Sequence, residues 1–163
     1  MKTLLIVWHS RTGAARQMAQ AAAQAARGEP QVAVSILPAA EAGPADLLAA
    51  DGYLFACPEN LATMSGAMKE FFDRSYYPCL VRLNGRPYAA MIAAGSDGEG
   101  AARQLARIAT GWRLKAVAEP LIVCTHAQTP DAILAEKTLP PGELGRCAEL
   151  GAALAAGLAL GVF

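Results

Sequence analysis

Residues Leu4 to Trp8 form an unbroken apolar run that stops at the polar string His9-Ser10-Arg11-Thr12-Gly13 and gives way at once to a long Ala/Gln-rich stretch. A strand that is apolar on both faces belongs in the middle of a parallel sheet, where crossover helices cover both sides. A short hydroxyl-and-glycine turn leading straight into a helix is a natural anion site. The free amides of the first helical turn and the positive end of the helix dipole converge there. Ser10 and Thr12 add hydroxyl donors, Arg11 adds a guanidinium, and Gly13 lets the backbone approach a ligand closely. An ordinary strand-to-helix connection capped by Ser or Thr accounts for this stretch, taken alone, just as well.

The strand–helix alternation continues along the chain. A helix begins near Thr12 or Gly13 and runs to about Arg27, stopped by Gly28 and Pro30. Val32, Val34 and Ile36 alternate as a strand near a sheet edge, ended by Pro38. Residues 44 to 49 suit a short helix with Pro44 in its first turn. Gly52 to Cys57 reads as a strand, Pro58 to Thr63 as a loop, and Met64 to Ser75 as an amphipathic helix. Tyr76 to Leu83 is ambiguous. Tyr88 to Ala94 is a fourth strand, followed by the glycine-rich Gly95 to Gly100 and a helix from about Ala101 to Trp112. Val117 to Thr125 is a fifth strand, interrupted or entered late because of Pro120. Residues 127 to 142 carry three prolines and give no clear pattern, and Glu143 to about Leu160 makes a last helix.

This order calls for an α/β fold: one domain over residues 1–163, with a five-stranded parallel sheet covered by helices on both faces and joined by right-handed crossovers. Ligands of such sheets bind beyond the carboxyl ends of the strands. The segments 9–15, 58–66 and 95–100 all fall there and should meet at one rim.

Composition removes several classes of function. Lys plus Arg and Asp plus Glu number 14 each, with no run of one sign and no basic stripe, so a nucleic-acid partner is not expected. Cys57, Cys79, Cys124 and Cys147 are widely spaced and read as thiols, and with only His9 and His126 as histidines no metal site is expected. The first apolar run is too short for a signal peptide, and the apolar tail after Glu149 is too short to span a bilayer. The cytoplasm is therefore the default location.

Ser10-Arg11-Thr12-Gly13-Ala14-Ala15 resembles the hydroxyl-x-Thr-Gly-x-hydroxyl phosphate loop of the flavodoxin-like FMN-binding family. Pro58-Glu59-Asn60, Met64-Ser65-Gly66-Ala67-Met68-Lys69 and Phe72-Asp73-Arg74 match, without a gap, the second loop and following helix of the family's NAD(P)H-dependent FMN and quinone reductases. Gly95-Ser96-Asp97-Gly98 stands where the family places its third flavin loop. The resemblance covers essentially the whole chain. It implies a flavodoxin-like three-layer sandwich of strand order 2-1-3-4-5. It also implies that FMN phosphate lies on Ser10, Arg11, Thr12, Gly13, Ala14 and Ala15. The isoalloxazine would then lie between Pro58, Glu59, Asn60, Leu61, Met64 and Ser65 on one side and Gly95, Ser96, Asp97 and Gly98 on the other. Two departures are visible: Ala15 replaces the last hydroxyl, and Asn60-Leu61 replaces the aromatic usually near the ring.

The implied activity is electron transfer from NADH or NADPH to a quinone, a flavin or a similar small acceptor. The cofactor carries that chemistry, so no catalytic side chain is assigned. The alternatives are a flavodoxin-type electron carrier and a flavin-free binder of a phosphate ligand. Balanced charge argues against the carrier, which would steer to its partners by a field of one sign. Glu59 is expected to meet the flavin mainly through its backbone, Asp73 and Arg74 to form surface ion pairs, His9 to be locally satisfied, and Trp8 and Trp112 to be core. The last helix and Tyr76–Leu83 are candidates for a homo-oligomer interface. Rival chemistries fail on required residues: no aspartate ends the third strand, no cysteine opens the first loop, and neither a P-loop nor a G-x-S-x-G elbow is present.

Overall fold

The computed structural model describes residues 1–163. In chain order the elements are β1 (Lys2–Trp8), α1 (Ala14–Ala26), β2 (Val32–Pro38), α2 (Pro44–Ala49), β3 (Gly52–Asn60), β4 (Thr63–Met64) and α3 (Gly66–Cys79). There follow β5 (Pro87–Ala94), α4 (Glu99–Gly111), β6 (Lys115–Ala116), β7 (Leu121–Cys124), α5 (Pro130–Leu134) and α6 (Pro141–Leu160). β1 runs parallel to β2 on one side and β3 on the other, β3 pairs with β5, and β6 and β7 share the far edge of β5. Counting β6 and β7 as one broken strand gives the expected order 2-1-3-4-5. The fifth strand, expected over Val117–Thr125, enters late at Leu121, just after Pro120, and the two-residue β6 before the break was not expected.

Strand periodicity divides the interior in two. Leu5 and Val7 of β1 join Tyr53, Phe55, Cys57 and Ile92 against α3, α4 and Trp112. Their neighbours Leu4 and Ile6 join Leu54, Ala56, Met91 and Val123 against α1 and α6. The alanine run of α1 has a packing reason beyond helix propensity. A Cβ on Gly151 of α6 would lie 2.1 Å from the carbonyl oxygen of Ala22, so the two helices approach backbone to backbone. Larger side chains at Ala19, Ala22 or Ala23 would force the layer open.

Arginine ties the loops beneath the other face. Arg86 donates to the carbonyls of Leu47, Leu48 and Ala50 and to the Tyr53 hydroxyl, closing the C-terminus of α2. Burial pushes the Tyr53 phenol up to about 12, so it stays a neutral donor to Leu47. Asp73 pairs with Lys69 on the surface as expected. Arg74 pairs with Glu70 and also reaches the carbonyls of Ala39 and Ala42, a loop-closing role the sequence did not indicate.

Three boundaries differ from expectation. β3 continues through Pro58 to Asn60 and folds back as the antiparallel β4, where a loop was expected. Proline is tolerated because β1 pairs with β3 only as far as Ala56, where His9 N–H donates to the Ala56 carbonyl; the position of the missing Pro58 N–H lies beyond that ladder. α3 starts at Gly66 rather than Met64 and takes up Tyr76 to Cys79, with Pro78 in its last turn. Residues 130–134 form the short helix α5 in the stretch that gave no pattern. No helix of the structure is long and apolar enough to cross a membrane.

Candidate functional site

At the carboxyl rim of the sheet a cleft of about 500 Å³ opens between the 9–13 turn, the β3–β4 hairpin, the loop after β5 and the segment after β7. That volume lies within the range of small-ligand sites. Ser10, Arg11, Thr12, Ala14, Ala15, Pro58, Glu59, Asn60, Leu61, Gly95 and Ser96 line it. The three segments singled out in the sequence thus meet at one place.

The first turn is built to leave its amides free. Ser10 Oγ accepts from Gly13 N–H at 3.0 Å, which folds the turn back on itself. Gly13 takes φ 100°, a left-handed conformation glycine adopts without strain, and caps α1 without any side-chain hydrogen bond. The reading of an ordinary Ser or Thr helix cap therefore fails. Ser10 serves the turn rather than the helix, and Thr12 makes no bond to the first-turn amides. The amides of Ser10, Arg11, Thr12, Ala14 and Ala15 donate to no protein acceptor. They stand at the positive end of a 13-residue helix that has no acidic residue in its first turn. Neither Arg11 nor Lys137 has a carboxylate within ion-pair distance, whereas Arg16 pairs with Glu136 at 3.7 Å.

The hairpin forms the opposite wall. Its two turn residues, Leu61 and Ala62, have φ of 51° and 67°, values that ordinarily select asparagine or glycine. The surroundings hold this costly geometry in place. The Glu59 carboxylate accepts from Gly98 N–H at 2.9 Å and Ala101 N–H at 3.1 Å, capping α4 from across the sheet. Gln104 Oε1 accepts from Met64 N–H at 2.8 Å. A Cβ on Gly100 would lie 2.1 Å from the Ala62 carbonyl oxygen, so only glycine lets the hairpin tip rest on α4. Leu61 at that tip is 99% exposed at the mouth of the cleft.

Gly13, Met64, Ser65, Asp97 and Gly98 do not line the cleft, because each is turned to holding a loop. Met64 is buried in the aromatic core cluster, and Gly98 starts α4 with φ 92°. The Asp97 carboxylate accepts from Glu99 N–H. Ser65, fully buried, bonds His9 Nδ1 at 2.8 Å and joins the base of the hairpin to the first turn. Burial, and secondarily the charge of Arg11, lowers the His9 pKa, so the imidazole is neutral near pH 7. His9 is thus locally satisfied, as expected. The Glu59 carboxylate is taken up by α4, which leaves its backbone as the part of the residue free to meet a ligand. The amides of Gly95, Ser96 and Asp97 have no protein acceptor.

One wall was not legible in the sequence. Thr125, Ala127, Gln128, Ile133, Leu134 and Lys137 close the side of the cleft beyond β7. Gln17 of α1 laces this segment down, donating to the Lys137 carbonyl at 2.7 Å and accepting from Leu139 N–H at 3.0 Å. Lys137 N–H donates to the Thr12 carbonyl at 2.8 Å, and its Nζ lies 3.5 Å from Thr12 Oγ1. The pairings span more than a hundred residues, and no local pattern announces them. The lining residues include no aromatic side chain, in keeping with the Asn60-Leu61 departure. The Cys57 thiol is buried and pushed up to about 12, and all four cysteines are free.

This geometry agrees with what the chain is similar to. The profile of the family described as NADPH-dependent FMN reductase matches residues 1–129. A flavodoxin of Aquifex aeolicus is 31% identical over 100 residues, covering 61% of this chain and 54% of that protein. An NAD(P)H dehydrogenase (quinone) of Acidithiobacillus ferrooxidans is 30% identical, covering 46% of this chain and 48% of its own. The chain thus spans about half the length of the curated relatives it matches. Among solved structures, flavodoxin 1 of Bacillus cereus superposes with a TM-score of 0.75 at 17% identity, covering 96% of this chain and 99% of that one. The likeness over so much of the sheet and all three loops has one consequence: the chain has the flavodoxin-like fold and belongs to the NADPH-dependent FMN reductase family, a family of flavoproteins.

Proposed function

We propose that the protein binds FMN in this cleft and acts as an oxidoreductase, taking electrons from NADH or NADPH and passing them to a quinone, a flavin or a similar small acceptor. The observation that carries the reading is the first turn. Its unpaired amides and helix dipole supply what a phosphate needs, in the same cleft as a rigid hairpin and a second loop of free amides. The residues fit the group. The free amides of Ser10, Arg11, Thr12, Ala14 and Ala15 and the Thr12 hydroxyl hold the phosphate end, and Ala15 contributes an amide where the family contributes a further hydroxyl. Pro58, Leu61, Ile133 and Leu134 give apolar walls for a planar ring, and the amides of Gly95 and Ser96 offer donors to its polar edge. Bound there, FMN would supply the hydride and electron chemistry, and the chain supplies position and electrostatics.

The hairpin keeps its place because Glu59 and Gly100 lock it to α4, so the wall against the ring does not depend on a flexible loop. His9, neutral near pH 7, adds no charge beside the phosphate. Net charge near zero favours a small diffusing acceptor over charge-steered docking of a protein. The flavodoxin-type carrier is the second reading, supported by the Aquifex relative. The two are separated by loading the protein with FMN and adding NADH or NADPH without oxygen. Bleaching of the flavin spectrum, reversed by a quinone, supports the enzyme. Flavin that is retained but not bleached supports the carrier, and failure to take up FMN contradicts both.

A further inference from the structure

The segment that crosses the cleft after β7 holds the one feature of the site that lies outside the family's matched residues. That match ends at residue 129, and α5, Glu136 and Lys137 come after it. Lys137 is held against the first turn by its own backbone, with N–H donating to the Thr12 carbonyl at 2.8 Å, and by Gln17, which donates to its carbonyl. The root of the side chain is therefore fixed beside the first turn, within reach of its amides. Its Nζ donates to the carbonyls of Ile133 and Ala135 and lies 3.5 Å from the Thr12 hydroxyl, on the wall of the cleft. No carboxylate lies within ion-pair distance of it, although the neighbouring Glu136 turns to Arg16.

A half-buried lysine rooted beside unpaired amides, its ammonium answered only by neutral oxygens, suits an anion. Arg11 adds a second cation to the same turn, on a freer side chain. The first turn meanwhile lacks the last hydroxyl of the family loop, because Ala15 stands there.

Resting on the proposal that FMN occupies this cleft, we infer that Lys137 is a binding residue for the FMN phosphate, supplying from the far end of the chain a charged donor where Ala15 offers no hydroxyl. Lys137 rotates its Nζ from the Ile133 and Ala135 carbonyls towards the phosphate oxygens while its backbone stays tied to Thr12. Phosphate affinity in this protein then depends on charge, and so on ionic strength, more than in a site built of hydroxyls and amides alone.

The test compares FMN with riboflavin, which has the ring but no phosphate, by flavin fluorescence titration of the whole chain and of Lys137→Met. The expected result is a loss of about ten- to hundredfold in FMN affinity with riboflavin affinity unchanged, and a weaker dependence of FMN affinity on salt. Lys137→Arg, which keeps the charge, should restore most of the FMN affinity, and thermal melting should show both variants folded. Unchanged FMN affinity in Lys137→Met overturns the inference, as does an equal loss for both flavins, which would mean that Lys137 only shapes the segment. Should Lys137→Met fail to fold, the wild type decides. FMN affinity that falls with added salt while riboflavin affinity holds, together with full FMN binding by Lys137→Arg, supports the inference; salt-independent FMN binding overturns it. Wild-type protein that binds neither flavin would remove the FMN reading itself and this inference with it.

Discussion

Thr12 and Ser10 divide the labour of the first turn in a way their adjacency conceals. Ser10 Oγ accepts from Gly13 N–H, so its removal also acts on the shape of the turn, whereas the Thr12 hydroxyl supports no turn amide and lies beside Lys137 with no acceptor of its own. Thr12→Val keeps shape and volume, and should weaken FMN binding by about 1.5–3 kcal/mol, the worth of a hydrogen bond to a charged group. A titration showing no change would remove Thr12 from the phosphate site. His9 carries a different prediction. Burial first, and the Arg11 charge second, lower its pKa in the folded state below the ordinary 6.5. As pH falls through that range the unfolded chain takes up a proton that the native chain refuses, so stability drops with acidity until the folded His9 itself titrates. His9→Gln, which keeps a polar partner for Ser65, should flatten the fall of the thermal midpoint between about pH 7 and the acid side of that range. An unchanged slope would contradict the assignment. The first turn was legible because all its parts are neighbours in sequence. Glu59 and Lys137 were not, because a carboxylate that caps a helix 40 residues on, or a lysine that returns across 125 residues, leaves no local period to read.

The β3–β4 hairpin forms the wall of the cleft opposite the first turn. Two positive-φ residues without glycine or asparagine make a turn that does not form cheaply by itself, so its stability comes from α4. Gly100→Ala places a methyl group against the Ala62 carbonyl and should cost about 1–3 kcal/mol of stability by overpacking. Flavin binding should weaken with it, because the wall carrying Leu61 shifts. Chemical unfolding and flavin titration of the same variant check both outcomes, and a variant as stable as wild type would mean that the hairpin is not locked by α4. The sequence marked this region by motif spacing but misread it as a loop, because Pro58 reads as a strand stop. Only the neighbour strand shows why it is not one: β1 has ended where the Pro58 N–H is missing. The helix after it was legible through Met68, Phe71 and Phe72, whose period sets them on the core, while Pro78 hid its last turn.

At the scale of the molecule, the sheet order places the carboxyl ends of β1, β3, β5 and β7 side by side, and every wall of the cleft hangs from one of these ends. The parallel sheet with helices on both faces followed from the strand–helix alternation and the buried run Leu4–Trp8, whereas its order followed from the family resemblance alone. The closeness of α1 and α6 did not follow. The alanines read as helix formers, and only the contact of Gly151 with Ala22 shows that they make room for a backbone-to-backbone layer. That layer carries the N-terminus of α1 at a fixed place beneath the cleft, and through Gln17 it also anchors the segment bearing Lys137. In the proposed function one ligand unites these loops, with FMN phosphate on Ser10–Ala15 and its ring between the hairpin and Gly95–Ser96. The most direct measurement is a map of backbone amide resonances in isotope-labelled protein during FMN titration. FMN binding in this cleft entails saturable shifts in the amides of Ser10 to Ala15, Asn60, Leu61, Gly95 and Ser96, with those of Ser10 to Ala15 largely silent when riboflavin replaces FMN. Shifts confined to another face, or none at stoichiometric FMN, would contradict it.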